Sequence, residues 1–252
     1  MHSVAWARIG SILLLALLAA LQPALAGVFS VTPVRIYMTP RDRAVAITVT
    51  NEGDTPVVLQ ADLNQWKQKP DGSDELTPTE DLILSPPIIK LGPKARQVVR
   101  LARLVPPDAS RQLTYRFILR EVPEATPSKD SVQVAIALAL SMPVFITPPL
   151  AKRAVECRGA LADPGNLNVA CSNIGSAYAQ VREILVRDGE RLIGRFEGGP
   201  YILPGAEKVL PIKLERFGPP NAPLTNVQLA VTFDDGTTQT YRVGAEAPPS
   251  GR

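Results

Sequence analysis

Val132-Gln133-Val134-Ala135-Ile136-Ala137-Leu138-Ala139-Leu140-Ser141-Met142 is the stretch on which the reading of this chain turns. Bulky apolar residues hold every even position, and Ala135, Ala137 and Ala139 stand between them. A period of two sends these two sets to opposite faces of one extended strand. A strand with one wet face would show polar residues on it, and here there are almost none. Two readings stand side by side. In one, this is a central strand buried on both faces. In the other, it is an edge strand whose bulky row serves a second protein, its backbone pairing with that protein's edge and its alternate side chains filling pockets there. Each Val, Ile or Leu fully buried in this way contributes about 1.5–3 kcal/mol, so four of them would dominate recognition. Composition alone leaves both open.

The residues around this stretch point to an all-β chain. Its 25 prolines and 17 glycines leave little room for long helices. Short β-rich runs lie between them, at residues 43–49, 57–63, 97–101, 113–119, 167–172, 179–187, 208–214 and 227–233, with 132–146 the longest. Asp71-Gly72, Asp188-Gly189 and Asp235-Gly236 are turn signals set among them. Strands of this length and spacing suggest β-sandwiches. Thr147-Pro148-Pro149 marks a stiff link, so residues 27–147 are expected to form one sandwich and 150–244 a second. Residues 245–252 are small and proline-rich and read as a disordered tail.

Residues 1–26 have the pattern of a secretory leader: a weakly basic start, an apolar run, and Ala24-Leu25-Ala26 as a small-x-small cleavage site. Outside the cytoplasm the two cysteines, Cys157 and Cys171, read as one disulfide. The single histidine, His2, lies in the leader, so the chain beyond it cannot build a Ser-His-Asp or Cys-His site or a His-ligated zinc centre. Phosphate-loop, dinucleotide and zinc-protease motifs are absent. A net charge of +3 and few aromatic residues argue against a nucleic-acid partner. No catalytic residue, metal, cofactor or small-molecule substrate is therefore expected.

Three stretches carry a resemblance. Ser85-Pro86-Pro87-Ile88-Ile89-Lys90-Leu91-Gly92-Pro93 with Gln97-Val98-Val99-Arg100-Leu101 is the first, Tyr115-Arg116-Phe117-Ile118-Leu119-Arg120-Glu121-Val122-Pro123 the second, and residues 132–145 the third. In this order they resemble the periplasmic pilus-assembly chaperones of the chaperone–usher pathway. That resemblance implies two immunoglobulin-like domains set at an angle. It implies a donor strand that completes an unfinished pilin subunit, with Val134, Ile136 and Leu138 entering the subunit groove and Leu140 as a further candidate. The implied partners are pilin subunits and an outer-membrane usher, and the implied compartment is the periplasm.

The family clamps the subunit's terminal carboxylate with basic side chains in the interdomain cleft, a task suited to charge-assisted, bidentate pairing. Arg35 sits where one branch keeps an arginine, but Pro143 stands where that branch keeps its lysine. Ser141-Met142-Pro143-Val144-Phe145 instead resembles the archaic branch, whose anchor is the arginine of a Tyr-Arg pair. The resemblance thus ranks Arg116 first and Arg35 second. Glu121 matches an acid that ties the two domains together, but the arginine it pairs with in the family is Thr147 here, so Glu121 is carried as structural only. The other reading is a secreted structural or adhesive immunoglobulin-like protein of the cell surface. A carboxylate enzyme comes last, because no pair of acids stands out by its spacing.

Overall fold

The computed structural model describes residues 29–123, 137–163, 165–215 and 227–243, and every regular element among them is a strand. In chain order the first ten are β1 (Phe29–Thr32), β2 (Ile36–Met38), β3 (Ala44–Asn51), β4 (Val57–Gln68), β5 (Asp74–Pro78), β6 (Leu82–Ser85), β7 (Ile88–Leu91), β8 (Arg96–Arg103), β9 (Leu113–Glu121) and β10 (Ala139–Ile146). One sheet runs β1-β3-β8-β6 and the other β2-β10-β9-β4-β5, with β7 also on β4. The chain changes sheet between β1 and β2, just past the cis peptide Thr32-Pro33.

Alternation decides the packing. In β3 the buried residues from Ile47 onward come every second position; Ile47 pairs with the fully buried Val99 of β8, and Val45 before it with the fully buried Leu101. Phe117, Leu119, Val144 and Ile146 meet them from the second sheet in a single core. Asn51 ends β3 inside this core, and its polar atoms are nonetheless satisfied. Its Nδ2 donates to the carbonyls of Thr55 and Gly92 at 2.8 Å, and its Oδ1 accepts from Gly53 N at 2.9 Å. A buried amide must be paired in this way or it destabilises the fold.

The remaining strands are β11 (Val155–Asp163), β12 (Asn166–Asn173), β13 (Ala179–Asp188), β14 (Arg191–Glu197), β15 (Tyr201–Ile202), β16 (Glu207–Lys213), β17 (Val227–Phe233) and β18 (Thr238–Arg242). They form a sheet β11-β12-β16 facing a sheet β14-β13-β17-β18, with β15 on β13. In β17 every other residue from Val227 to Phe233 is buried, so the strand supplies a whole row of this second core. The Asn51 device recurs: Asn173 ends β12, donates to the carbonyls of Ala177 and Ile202 at 2.8 Å, and accepts from Gly175 N at 3.0 Å. Cys157 and Cys171 face each other across β11 and β12 and form a disulfide. The bridge staples neighbours within one sheet and closes a short loop, which is worth about 3 kcal/mol in the chain-entropy picture. The architecture is thus two immunoglobulin-like β-sandwiches.

The expected strand over residues 132–146 differs in extent. Regular pairing begins at Ala139, Ala137 and Leu138 precede it without strand geometry, and residues 124–136 lie outside the described residues, Val134 and Ile136 among them. The leader (1–26) and the tail (245–252) also lie outside them.

Candidate partner-binding edge and carboxylate anchor

β10 has one closed side and one half-open side. Along its whole length it pairs antiparallel with β9, from Ala139 opposite Arg120 to Ile146 opposite Leu113. On the other side β2 covers only Val144–Ile146, in parallel. The backbone bonds fix which residues face which way. Glu121 N donates to Leu138 O at 2.9 Å, so the even residues of β10 pair inward with β9. Thr147 N donates to Met38 O at 2.9 Å, so the odd residues face the β2 side. Beyond the reach of β2, the N–H and C=O groups of Ala139 and Ser141 therefore face an open edge, and no other strand among the described residues pairs with it. Pro143 has the same parity. Its missing N–H faces the unpaired side, which is why a proline is tolerated inside this strand.

The side chains divide by the same parity. Met142, Val144 and Ile146 are buried in the core of the first sandwich, and Leu138 and Leu140 pack against that core half-buried. The strand is neither wholly central nor wholly at an edge: the inner part of the row belongs to the molecule's own core, and the outer part sits beside an open backbone edge. Ala139 and Ser141 are exposed, whereas Pro143 and Phe145, on the same face, are buried.

Phe145 begins the cleft between the sandwiches. Its ring stacks on Tyr178 at 4.1 Å between centroids and on Tyr37 at 5.7 Å. Trp66 from β4 and Leu203 join it in a small buried cluster, with Tyr178 and Tyr201 packed on the outside. Arg116 of β9 pairs with Pro143 of β10, and its guanidinium carbon sits 3.7 Å from the centroid of Trp66 and 5.6 Å from that of Tyr201. The guanidinium carbon of Arg35, one residue before β2, lies 5.8 Å from the Tyr201 centroid. Two arginines thus share one aromatic ring, a favourable cation–π setting. The Trp66 indole N–H is buried without an acceptor among the described residues.

Burial pushes the Arg116 pKa below the usual guanidinium range, and the charge of Asp74 pulls against that. Burial also works against the Arg35 charge, but the Tyr37 hydrogen bond and the neighbouring tyrosines outweigh it and leave the pKa raised. Tyr178 and Tyr201 are both held above the ordinary tyrosine range, chiefly by burial. Both arginines keep their charge.

Glu121 stays within the first sandwich. Its Oε2 accepts from Leu138 N at 3.4 Å, so it holds the entrance to β10 rather than the second sandwich. Thr147 is used differently too: its Oγ1 accepts from Gln112 Nε2 at 2.6 Å. The buried Gln112 then reaches across, its Oε1 accepting from Tyr178 N at 2.8 Å and its backbone N donating to Ser176 O at 2.9 Å. Gln68 is a second clamp, donating to Tyr201 O at 3.0 Å and accepting from Leu203 N at 2.8 Å. At Thr147, where a charged tie to Glu121 was the family expectation, the neutral amide of Gln112 makes the link to the second sandwich. Among the described residues no cluster of acids, cysteines or histidines has metal-ligand geometry.

Gln68, Gln112, Trp66, Tyr178 and Tyr201 carry no motif, and their spacing does not single them out. One compositional signal exists: of five tyrosines in the chain, Tyr37, Tyr178 and Tyr201 all lie in this cleft.

Residues 28–152 match the model of the N-terminal domain of pili and flagellar-assembly chaperones, the PapD N-terminal domain. Among curated proteins, none matches the chain. The fold is similar to that of the CsuC–CsuE chaperone–tip adhesion subunit complex from archaic Csu pili of Acinetobacter baumannii, at 17% identity and TM-score 0.62, covering 86% of this chain and 98% of that one. It is similar to the E. coli chaperone DraB at 19% identity and TM-score 0.55, covering 87% and 96%. Against the Pseudomonas aeruginosa chaperone CupB2 the identity is 17% and the TM-score 0.54, with 85% and 100% covered. At these identities the likeness is one of fold.

Proposed function

Since the chain belongs, through residues 28–152, to the family of pili and flagellar-assembly chaperones, we propose that it holds pilin subunits by lending them the open edge of β10 and delivers them to an outer-membrane usher. The observation that carries this reading is geometric: the edge left free at Ala139 and Ser141 runs directly toward two arginines. A strand laid beside residues 139–143 would lie in line with β2, which occupies the same edge from Val144 onward. Because β2 runs parallel to β10, a partner strand also parallel would end facing the start of β2, where Arg35 stands. A terminal carboxylate suits that position and a terminal ammonium does not. The arginines thereby select the parallel orientation and set the register.

Val134, Ile136, Leu138 and Leu140 form the apolar row offered to the subunit groove, and Arg116 with Arg35 receives the carboxylate. Folds of this kind have been solved holding a tip subunit and a pilin, which supports the same use here. An exported chaperone needs a leader, and residues 1–26 have that pattern. The work is binding and release, with no chemistry on the bound protein and no nucleotide. Co-expression with candidate small secreted pilin-like proteins, followed by affinity capture, tests the proposal. Replacing both Ile136 and Leu138 with Asp should abolish recovery of a soluble complex while the protein itself stays folded by circular dichroism. Undiminished capture by that variant would defeat the donor-strand assignment.

A further inference from the structure

Both anchor arginines already have a carboxylate nearby, and both hold it loosely. Arg116 Nη2 lies 3.9 Å from Asp74 Oδ2, and Arg35 Nη1 lies 3.4 Å from Asp234 Oδ2. Two more exposed pairs of the same protein are closer: Arg120 to Asp62 and Arg158 to Glu207 are both 2.7 Å. The difference is the reverse of what burial would favour, because the Arg116 side chain is only 14% exposed and a desolvated charge gains most from a short contact.

Each aspartate is also seated on a neutral donor of its own. Gln68 Nε2 donates to Asp74 Oδ1 at 2.9 Å, and the Tyr178 hydroxyl donates to Asp234 Oδ2 at 2.9 Å. Either acid can lose its arginine and keep a hydrogen bond. Gln68 and Tyr178 belong to the interdomain contact, so the acids are placed by the cleft itself rather than by the arginines.

We propose that Asp74 and Asp234 are stand-in carboxylates, which neutralise Arg116 and Arg35 in the unloaded protein and are displaced by the terminal carboxylate of the bound subunit. This rests on the reading of the two arginines as the anchor. Without stand-ins, two guanidinium groups would share a partly buried cleft with no anion, a costly arrangement. With tightly bound ones, the incoming carboxylate would have to break strong pairs. Loose contacts backed by neutral donors avoid both costs.

The test uses a short acetylated peptide of alternating valine and threonine, made once with a free C-terminal carboxylate and once as the amide. Trp66 lies under the Arg116 guanidinium and reports binding by fluorescence; the other tryptophan, Trp6, falls within the leader pattern, and a Trp66→Phe control should lose the signal. Asp74→Asn keeps an acceptor for Gln68, and Asp234→Asn keeps one for Tyr178, so both variants should fold. Each should bind the acid peptide about fivefold more tightly than the parent, the scale of a partly exposed ion pair, with amide binding unchanged. If neither variant tightens acid binding while Arg116→Ala abolishes the preference for acid over amide, the stand-in role is wrong and the anchor survives. Retention of that preference in Arg116→Ala and in Arg35→Ala removes the anchor itself, as does a parent protein with no preference.

Discussion

Replacing Ser141 with proline removes a single N–H from β10, and the structure says which neighbour should notice. By the parity of the strand, that N–H faces the open edge and has no strand partner in the unloaded protein. Pro143, two residues on, already lacks the corresponding donor and sits in regular pairing opposite Arg116. The Ser141 side chain is exposed, so the ring meets no packed neighbour. Ser141→Pro should therefore change the melting temperature of the protein alone very little.

The cost appears on binding. An added strand would offer a carbonyl to Ser141, and without the N–H that carbonyl is buried unpaired, at about 1–3 kcal/mol. That corresponds to roughly five- to 150-fold in affinity. Leu140→Pro is the control, because its N–H pairs inward with Leu119. The same 1–3 kcal/mol then comes out of the stability of the protein itself. Thermal unfolding of both variants, alongside titration with a captured subunit, separates the two. If Ser141→Pro melts as low as Leu140→Pro, or captures its subunit as tightly as the parent, the assignment of the open edge is refuted.

The cleft and its rim yield two more expected outcomes. Gly72 sits in the left-handed region at φ 76°, and a Cβ there would lie 2.5 Å from the Glu207 carbonyl oxygen of the second sandwich. Gly72→Ala should destabilise by about 2 kcal/mol from conformation alone. It should also break the Lys208 Nζ bond to Gly72 O (2.9 Å), seen as faster hydrogen exchange at Leu203 N, which Gln68 holds nearby. Unchanged exchange would mean the β4–β5 turn does not brace the second sandwich. Asp235 pairs with Arg153 at 3.0 Å and also accepts from Thr237, and these bonds hold its pKa down at about 2. Since the folded value lies below the unfolded one of about 3.9, its stabilisation is complete above that range and drains away as pH falls toward the folded value. The side chain is half exposed, so the effect stays under about 1 kcal/mol. Asp235→Asn should flatten the stability profile between those values in acid unfolding, and an unaltered profile would contradict the assignment.

Some of this protein was open to reading from its residues in order. Side-chain alternation belongs to the strand itself, so runs such as Val227–Phe233 announce both their geometry and their buried face. The pairing of the only two cysteines follows from count and compartment. The element β5 is different. All five of its residues are exposed, so it has no apolar period to detect, and it exists because Asn64–Gln68 of β4 offers it a ladder. The recurring Asn-x-Gly at Asn51 and Asn173 was visible as text, but its meaning, a buried amide closing the end of a strand, needs the surrounding carbonyls.

The functional site divides along the same line. Residue order determined an alternating apolar ribbon and two β-sandwiches, and the family resemblance it carries nominated two arginines. Only the tertiary structure decided that the outer edge of β10 is open at Ala139 and Ser141, that Glu121 serves its own sandwich, and that Gln68 and Gln112 clamp the second. It alone decided that Trp66 and Tyr201 converge on the arginines, with Tyr178 packed beside them in the same cluster. The reason is range. Alternation and charge are properties of neighbours along the chain, while an unpaired edge and a shared ring depend on which distant strands lie on either side.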